Sequence, residues 1–186
     1  MGDAPPEGPA LGLLELCSIA RGVLTCDAMV KRSPVRLVRA ASTHPGKYSI
    51  LIRGGVDEVA EALEAGRRIA ADALIDRLFL PNPHDELDAV LGGAQVWPLE
   101  AVGVLETYSI AATLRGADVA LKAAEVHALR IALARDLGGK GFFVLTGLLH
   151  DVEEAMRAGR AAVGEGLLAG AEIVANPHPD LIDALA

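Results

Sequence analysis

Two glutamates stand at matching places in the chain. Glu15 follows the apolar residues 11–14 and Glu106 follows the apolar residues 102–105. Two carboxylates in one site could divide the work of a general acid and a general base. Each is better explained as a structural partner of a nearby arginine or backbone amide, because the two stand at equivalent points of a repeat. No nucleophile elbow, P-loop, dinucleotide fingerprint or metal-ligand cluster occurs, so the sequence does not predict an enzyme.

Two glycine-containing turns could bring backbone close to a ligand or a symmetry axis. They are His44-Pro45-Gly46-Lys47 and Leu137-Gly138-Gly139-Lys140. An ordinary hairpin turn explains both equally well. The imidazole of His44 could bind zinc, copper or nickel, or change charge in the physiological pH range. Cys17 and Cys26 lack metal-ligand spacing and are expected to be two buried thiols.

Two further sets of polar residues also occur twice. Asp27 and Lys31, like Asp118 and Lys122, are four residues apart and can pair on one face of a helix. Solvated ion pairs of small energetic value would account for them. The tripeptide Asn-Pro-His occurs at residues 82–84 and 176–178, where a chain reversal with a surface histidine would suffice.

The elements that position these residues are themselves duplicated. The matches run collinearly from residues 10–15 with 101–106 and 18–20 with 109–111 to residues 65–67 with 158–160 and 82–84 with 176–178. Small insertions occur only before Gly139 and before Asn176. Chance does not produce such order, so the chain contains two domains of one fold.

The pattern within one repeat predicts strands over residues 11–16, 35–41, 48–53 and 74–80. A helix begins after the capping residue Ser18 and carries Ile19, Val23, Cys26 and Val30 on one stripe. A second helix spans 56–63, and a short helix over 85–91 closes the unit. The order βαββαβ predicts two tandem ferredoxin-like α/β (α+β) domains, each a four-stranded antiparallel sheet with helices on one face. We expect a flexible extension at 1–9, domains at 10–91 and 101–186, and a linker at 92–100.

Composition narrows the possible functions. Aromatic residues make up only 3% of the 186 residues, so small aliphatic side chains must fill the cores. Such small domains gain from sharing stability with a partner. The formal net charge of −8 gives no attraction to nucleic acid or anionic membranes. No apolar run of about 18 residues and no leader pattern occurs, which predicts a cytoplasmic protein without a membrane span.

Four segments together resemble the bacterial microcompartment (BMC) shell domain: the opening Ala-Leu-Gly-Leu-Leu-Glu, residues 27–31, the turn Pro-Gly-Lys and the closing Asn-Pro-His. The chain is particularly similar to the tandem-domain subgroup of propanediol-utilising compartments. The resemblance implies a homotrimer with the outline of a hexamer. Such discs would tile with other BMC hexamers, trimers and pentamers into a shell wall, with a central pore for small metabolites and no resident cofactor.

The resemblance also assigns residues. It places the two turns, residues 44–47 and 137–140, at the pore. It places Lys31 and Lys122 at the tiling edge with their partners Asp27 and Asp118, and with Asn82, His84, Asn176 and His178. The two asparagines are a departure, because the family commonly has arginine before Pro-His, and arginine is the stronger forked donor.

His44 marks a second departure. In the subgroup a cysteine precedes Pro-Gly-Lys, and three such thiolates hold a 4Fe–4S cluster. Imidazole substitutes poorly for these thiolates, so a lining residue is expected here, and His44 is the only candidate metal ligand. A metal or Fe–S conduit in the same wall is the alternative function. A soluble enzyme or small-molecule binding module is the third, and it would form no sheets.

Overall fold

The computed structural model describes residues 8–133, 137–178 and 180–181. The chain divides after Pro83 into two compact units. The first contains β1 (Ala10–Leu16), α1 (Ile19–Arg32), β2 (Arg36–Thr43), β3 (Lys47–Gly54), α2 (Val56–Ala70), a short 3-10 helix (Ala71–Ala73) and β4 (Leu74–Leu80). The second contains α3 (Asp85–Gly92), β5 (Ala101–Thr107), α4 (Ile110–Ala123), β6 (Val126–Leu133), β7 (Gly141–Gly147), α5 (Leu149–Ala162) and β8 (Leu168–Ala175).

Each unit contains one antiparallel sheet of four strands. The strand orders are β2-β3-β1-β4 and β6-β7-β5-β8. The edge strands are therefore β2 and β4 in the first sheet, and β6 and β8 in the second. The registers also correspond, since Ala10 pairs with Gly54 and Ala101 with Gly147. The predicted fold class, two tandem βαββαβ domains, is confirmed.

Helices α1 and α4 begin where the sequence supplies a serine cap. Ser18 and Ser109 each accept a hydrogen bond from a backbone amide of the first turn, at 3.2 Å and 3.0 Å. Buried aliphatic side chains of the central strands and of the helices form each core, with Phe143 as the largest fully buried side chain. None of the helices in the described part of the chain is long and apolar enough to cross a membrane.

Helix α1 differs from its prediction. Of the expected stripe only Cys26 is buried, whereas Ile19, Val23 and Val30 are exposed. The inward face of α1 carries Gly22, Thr25, Cys26 and Met29 instead. In α4 the corresponding stripe, Ile110, Leu114, Ala117 and Leu121, is fully covered. Helical periodicity therefore identified an apolar face on α1. It did not show that most of this face is exposed while the equivalent face of α4 is buried.

Two smaller expectations also changed. Helix α3 was expected to close the first repeat, but it packs against β6 and α4 in the second unit, where Leu87 and Val90 are buried. The compact unit therefore ends at Pro83. Cys17 is exposed, because it follows β1 at the surface, and only Cys26 is a buried thiol. Burial raises the pKa of the Cys26 thiol, and the neighbouring Asp27 adds to this effect.

Gly66 lets α2 lie close to β1 and α1. A Cβ at this position would stand 2.6 Å from Leu14 Cδ1 and 2.7 Å from Met29. We expect Gly66→Val to lower the free energy of unfolding by about 2–3 kcal/mol, because the added atoms overpack a closed core. Urea denaturation at matched protein concentration measures the loss. Gly92→Val is the control, since no heavy atom lies within 4 Å of its Cβ position, and an equal loss there would contradict the packing explanation.

Candidate functional site

The first predicted pore turn joins the edge strand β2 to β3. Thr43 and Lys47 pair across it, and Gly46 N donates to Thr43 O at 2.9 Å. Gly46 has a φ of +93°, which favours glycine, and His44, Pro45 and Gly46 are exposed. The Gly46 amide is therefore used within the turn, and the His44 side chain and the exposed backbone define its surface.

Lys47 anchors this turn to the sheet. Its Nζ lies 2.9 Å from Glu15 Oε1, and the Glu15 side chain is 0% exposed. The structural role expected for Glu15 is thus present, with a lysine of the turn as partner. A fully buried carboxylate needs such a partner, because an isolated charge pays a large desolvation cost.

The second turn joins β6 to β7 and has the same plan, with residues 134–136 outside the described residues. Lys140 N donates to Leu137 O at 3.1 Å, and Gly138 and Gly139 have φ values of +59° and +88°. Lys140 Nζ lies 3.0 Å from Glu106 Oε1, and the Glu106 side chain is 39% exposed. The hydrogen bond that Lys140 donates to Glu106, together with the charge of that carboxylate, raises the pKa of Lys140. Each turn is therefore anchored by its own lysine–glutamate pair, and the glutamate is buried at the first turn and partly exposed at the second.

The donors at the first turn do not fit a 4Fe–4S cluster. The side chains available there are an imidazole and an ammonium already bound to Glu15. The exposed Cys17 follows β1 and the buried Cys26 lies within α1, so residues 44–47 themselves contain no thiolate. No group of three His, Cys, Asp or Glu side chains that could hold a metal occurs among the described residues of a single chain.

The two predicted edge pairs are both formed, in different surroundings. Lys31 Nζ lies 2.7 Å from Asp27 Oδ2, and Lys122 Nζ lies 2.7 Å from Asp118 Oδ2. The Asp27 side chain is 51% exposed and that of Asp118 only 5%. Asp118 also accepts from His84 N at 2.7 Å. Its carboxylate therefore acts within the chain, and Lys122 is the member of this pair that reaches the surface.

In both Asn-Pro-His segments the histidine ring accepts a hydrogen bond from the amide two residues farther along the chain, and His84 is the N-cap of α3. Glu86 N donates to His84 Nδ1 at 3.3 Å, and Asp180 N donates to His178 Nδ1 at 3.2 Å. Asn82 and Asn176 are exposed, and Asn176 has a left-handed φ of +52°. The two histidines thus share one local role that sequence reasoning did not assign.

Sequence reasoning also missed a polar contact of α3. Glu86 Oε2 accepts from Ala128 N at 2.7 Å, and Glu86 Oε1 lies 2.9 Å from His127 Nδ1. The His127 ring also stacks on Trp97, with 3.8 Å between ring centroids. Nothing in local periodicity signals this contact, since it joins residues about forty positions apart.

The fold and the two turns define the class of protein. It is a tandem-domain protein that repeats one βαββαβ unit, in which a lysine–glutamate pair anchors each glycine turn. The family model of the BMC domain matches residues 10–83 and again 101–177. The chain therefore belongs to the BMC-domain family of bacterial microcompartment shell proteins, as a member with two domains in tandem.

Individual relatives agree with this assignment. The bacterial microcompartment shell protein PduT of Citrobacter freundii is 38% identical over 92% of this chain and 95% of its own length. The carboxysome assembly protein CcmO of Synechococcus elongatus is 30% identical over 97% of this chain and 70% of its own length. A crystal structure of a microcompartment protein from Desulfitobacterium hafniense superimposes with a TM-score of 0.83 at 36% identity, covering 92% of this chain and 97% of that one.

Proposed function

We propose that three copies of this chain close into a disc of six domains that forms part of a microcompartment shell facet. The observation that carries the proposal is the duplication, in which both units repeat the same sheet register and the same lysine-anchored turn. Six similar domains around one axis is the arrangement that a tandem chain can reach with three subunits. The disc would tile with other shell proteins and act as a structural component, not as an enzyme.

We further propose that the two turns line the centre of the disc. Three copies of the first turn would present His44, Pro45 and Gly46, which are exposed in the single chain. Both lysines are held back by Glu15 and Glu106, so imidazole and backbone groups would meet the solute. This chemistry suits small polar metabolites. The turn does not favour the conduit alternative, because residues 44–47 contain no thiolate for a cluster.

The oligomeric mass tests the disc. We expect native mass spectrometry of the full chain to give a species of about 58 kDa, three times the 19.3 kDa of one chain. Negative-stain images should show discs and, at higher concentration, flat sheets. A chain that remains at 19.3 kDa over the whole concentration range would contradict the proposal.

A further inference from the structure

A similar segment follows the last strand of each repeat, and these two segments, residues 82–91 and 176–185, are here called the closing segments. In the alignment that matches Asn82 to Asn176, Glu86 corresponds to Asp180, Leu87 to Leu181 and Leu91 to Leu185. Near the start of both segments a histidine ring accepts a hydrogen bond from the amide two residues farther along the chain. Residues 176–178, 180 and 181 of the second segment are described, and its start therefore repeats that of the first.

The first closing segment shows what such a segment binds. Its helix α3 lies against the edge strand β6 and against α4. Glu86 accepts from the amide of Ala128 and contacts His127, while the His84 amide donates to Asp118. Leu87 and Val90 are buried. The segment thus uses one carboxylate, one amide and two apolar side chains.

The first unit has an equivalent face, and among the described residues no helix corresponding to α3 covers it. The repeat matches Asp27 to Asp118, Arg36 to His127 and Leu37 to Ala128, and the sheet register agrees, since Arg36 pairs with Arg53 as His127 pairs with the matching Thr146. Val23 on this face is 55% exposed, whereas its counterpart Leu114 is 0% exposed. Ile19, Val30, Leu37 and Val38 are exposed as well. An apolar face of this extent requires a partner.

Charge indicates which partner fits. Arg36 and Arg53 stand directly opposite each other on β2 and β3, and like charges so placed repel. With Gly8 and Pro9 they line an open cleft of about 340 Å³. A carboxylate entering there would relieve the repulsion. Asp180 is one methylene shorter than Glu86, and Arg36 reaches farther than the histidine it replaces, so the combined length of the pair is kept.

We propose that the closing segment 176–185 of one copy docks on the first unit of a second copy, with Asp180 bound by Arg36 and by the Leu37 amide. The His178 amide then donates to Asp27, and Leu181 covers the exposed face of α1. Contacts of this head-to-tail kind close into a ring when the rotation allows it. The inference rests on the proposed trimer and specifies its subunit interface.

The docking model is consistent with a tiling role for the lysines. In the second unit Lys122 remains 42% exposed although α3 covers its partner Asp118. By the same geometry Lys31 stays accessible when a second copy covers Asp27. The subunit interface and the edge between discs therefore use different atoms of the same ion pair.

Charge reversal in the full chain tests the interface. We expect Asp180→Arg, and separately Arg36→Glu, to raise the concentration at which the trimer dissociates by more than about tenfold, because each change places two like charges together in the interface. The double variant carrying both changes should recover most of that loss, since the pair is restored in reverse. Native mass spectrometry over a dilution series gives the measurement. Glu165→Arg makes the same charge change on an exposed turn outside both closing segments and should have no effect.

The possible results distinguish failure of the docking interface from failure of the proposed trimer. A wild-type trimer that Asp180→Arg affects no more than Glu165→Arg would overturn the docking model and leave the disc intact. A wild-type monomer would overturn the disc itself. Truncation after His178 supplies a second variant, which should dissociate the trimer while circular dichroism stays unchanged. If deleting residues 2–7 dissociates the trimer and Asp180→Arg does not, the amino-terminal segment occupies the cleft and the docking model is wrong.

Discussion

A chain carrying Lys31→Ala and Lys122→Ala should still form discs but should no longer assemble into flat sheets. We propose that both lysines lie at the disc edge, where the stem of each side chain can lie along a neighbour and its ammonium can donate to backbone carbonyls. Lys31 is mostly exposed in the single chain. Six edge contacts would be lost from each disc at once, so the effect on tiling is expected to be complete.

Folding should change little through Lys31, and any loss of stability should come from Lys122, because its partner Asp118 is only 5% exposed. The pair of Lys31 with Asp27 is solvent-exposed and is worth less than about 1 kcal/mol. Asp118 keeps the hydrogen bond from His84 N when Lys122 is shortened. Alanine avoids placing a second carboxylate beside either aspartate. Electron microscopy of concentrated protein, together with the native mass, measures tiling and disc formation separately.

A charge-matched control isolates the edge. Arg68→Ala with Arg157→Ala also changes the formal net charge from −8 to −10, that is, −8 minus two positive charges. These arginines pair with Glu64 and Glu154 on the exposed faces of α2 and α5. The control should tile like the unmodified chain. Sheets formed by the lysine variant as readily as by the control would remove both lysines from the edge.

Lys47→Met should destabilise the protein far more than Lys140→Met, although the two lysines occupy equivalent turns. Glu15 has no exposed side-chain surface, so losing Lys47 leaves a buried carboxylate without its ammonium partner. Removing one member of a buried pair costs about 3 kcal/mol or more. Glu106 is 39% exposed, and water replaces Lys140 at a cost below about 1 kcal/mol.

Urea denaturation at one protein concentration compares the two variants, because association contributes to the apparent stability of an oligomer. The double variant Glu15→Gln with Lys47→Met should be more stable than Lys47→Met alone, since it removes the buried charge that the single change exposes. Equal losses from Lys47→Met and Lys140→Met would show that burial of Glu15 does not set the strength of the pair.

Much of the architecture could be read from the sequence. In the first unit the strands and α1 begin and end within a few residues of the predicted positions, because alternation, helical spacing and the serine cap at 18 are local signals. Helix α2 is the exception, since it continues to Ala70, seven residues beyond its predicted end. The repeat itself predicted equivalent turns and the two aspartate–lysine pairs on the helices, but not the lysine partners of Glu15 and Glu106. All four ion pairs between matching residues are present in the described chain.

The candidate site could be predicted only in part. Equivalent residues proved to have different environments, as Asp27 and Asp118 or Glu15 and Glu106 show. Helix α3 reads in the sequence as the end of the first unit, yet its contacts are with β6 and α4. No rule of local spacing distinguishes these cases, because burial depends on segments that are distant along the chain.

By itself the sequence determined the duplication, the order of elements and the family, since each of these follows from local patterns repeated in register. The tertiary structure alone decided which copy of each repeated residue is covered. A sheet edge and a helix face become sites only when a remote segment removes water from them. In this chain α3 covers β6 and α4 of the second unit. That contact identifies the equivalent face of the first unit, which the described residues leave exposed.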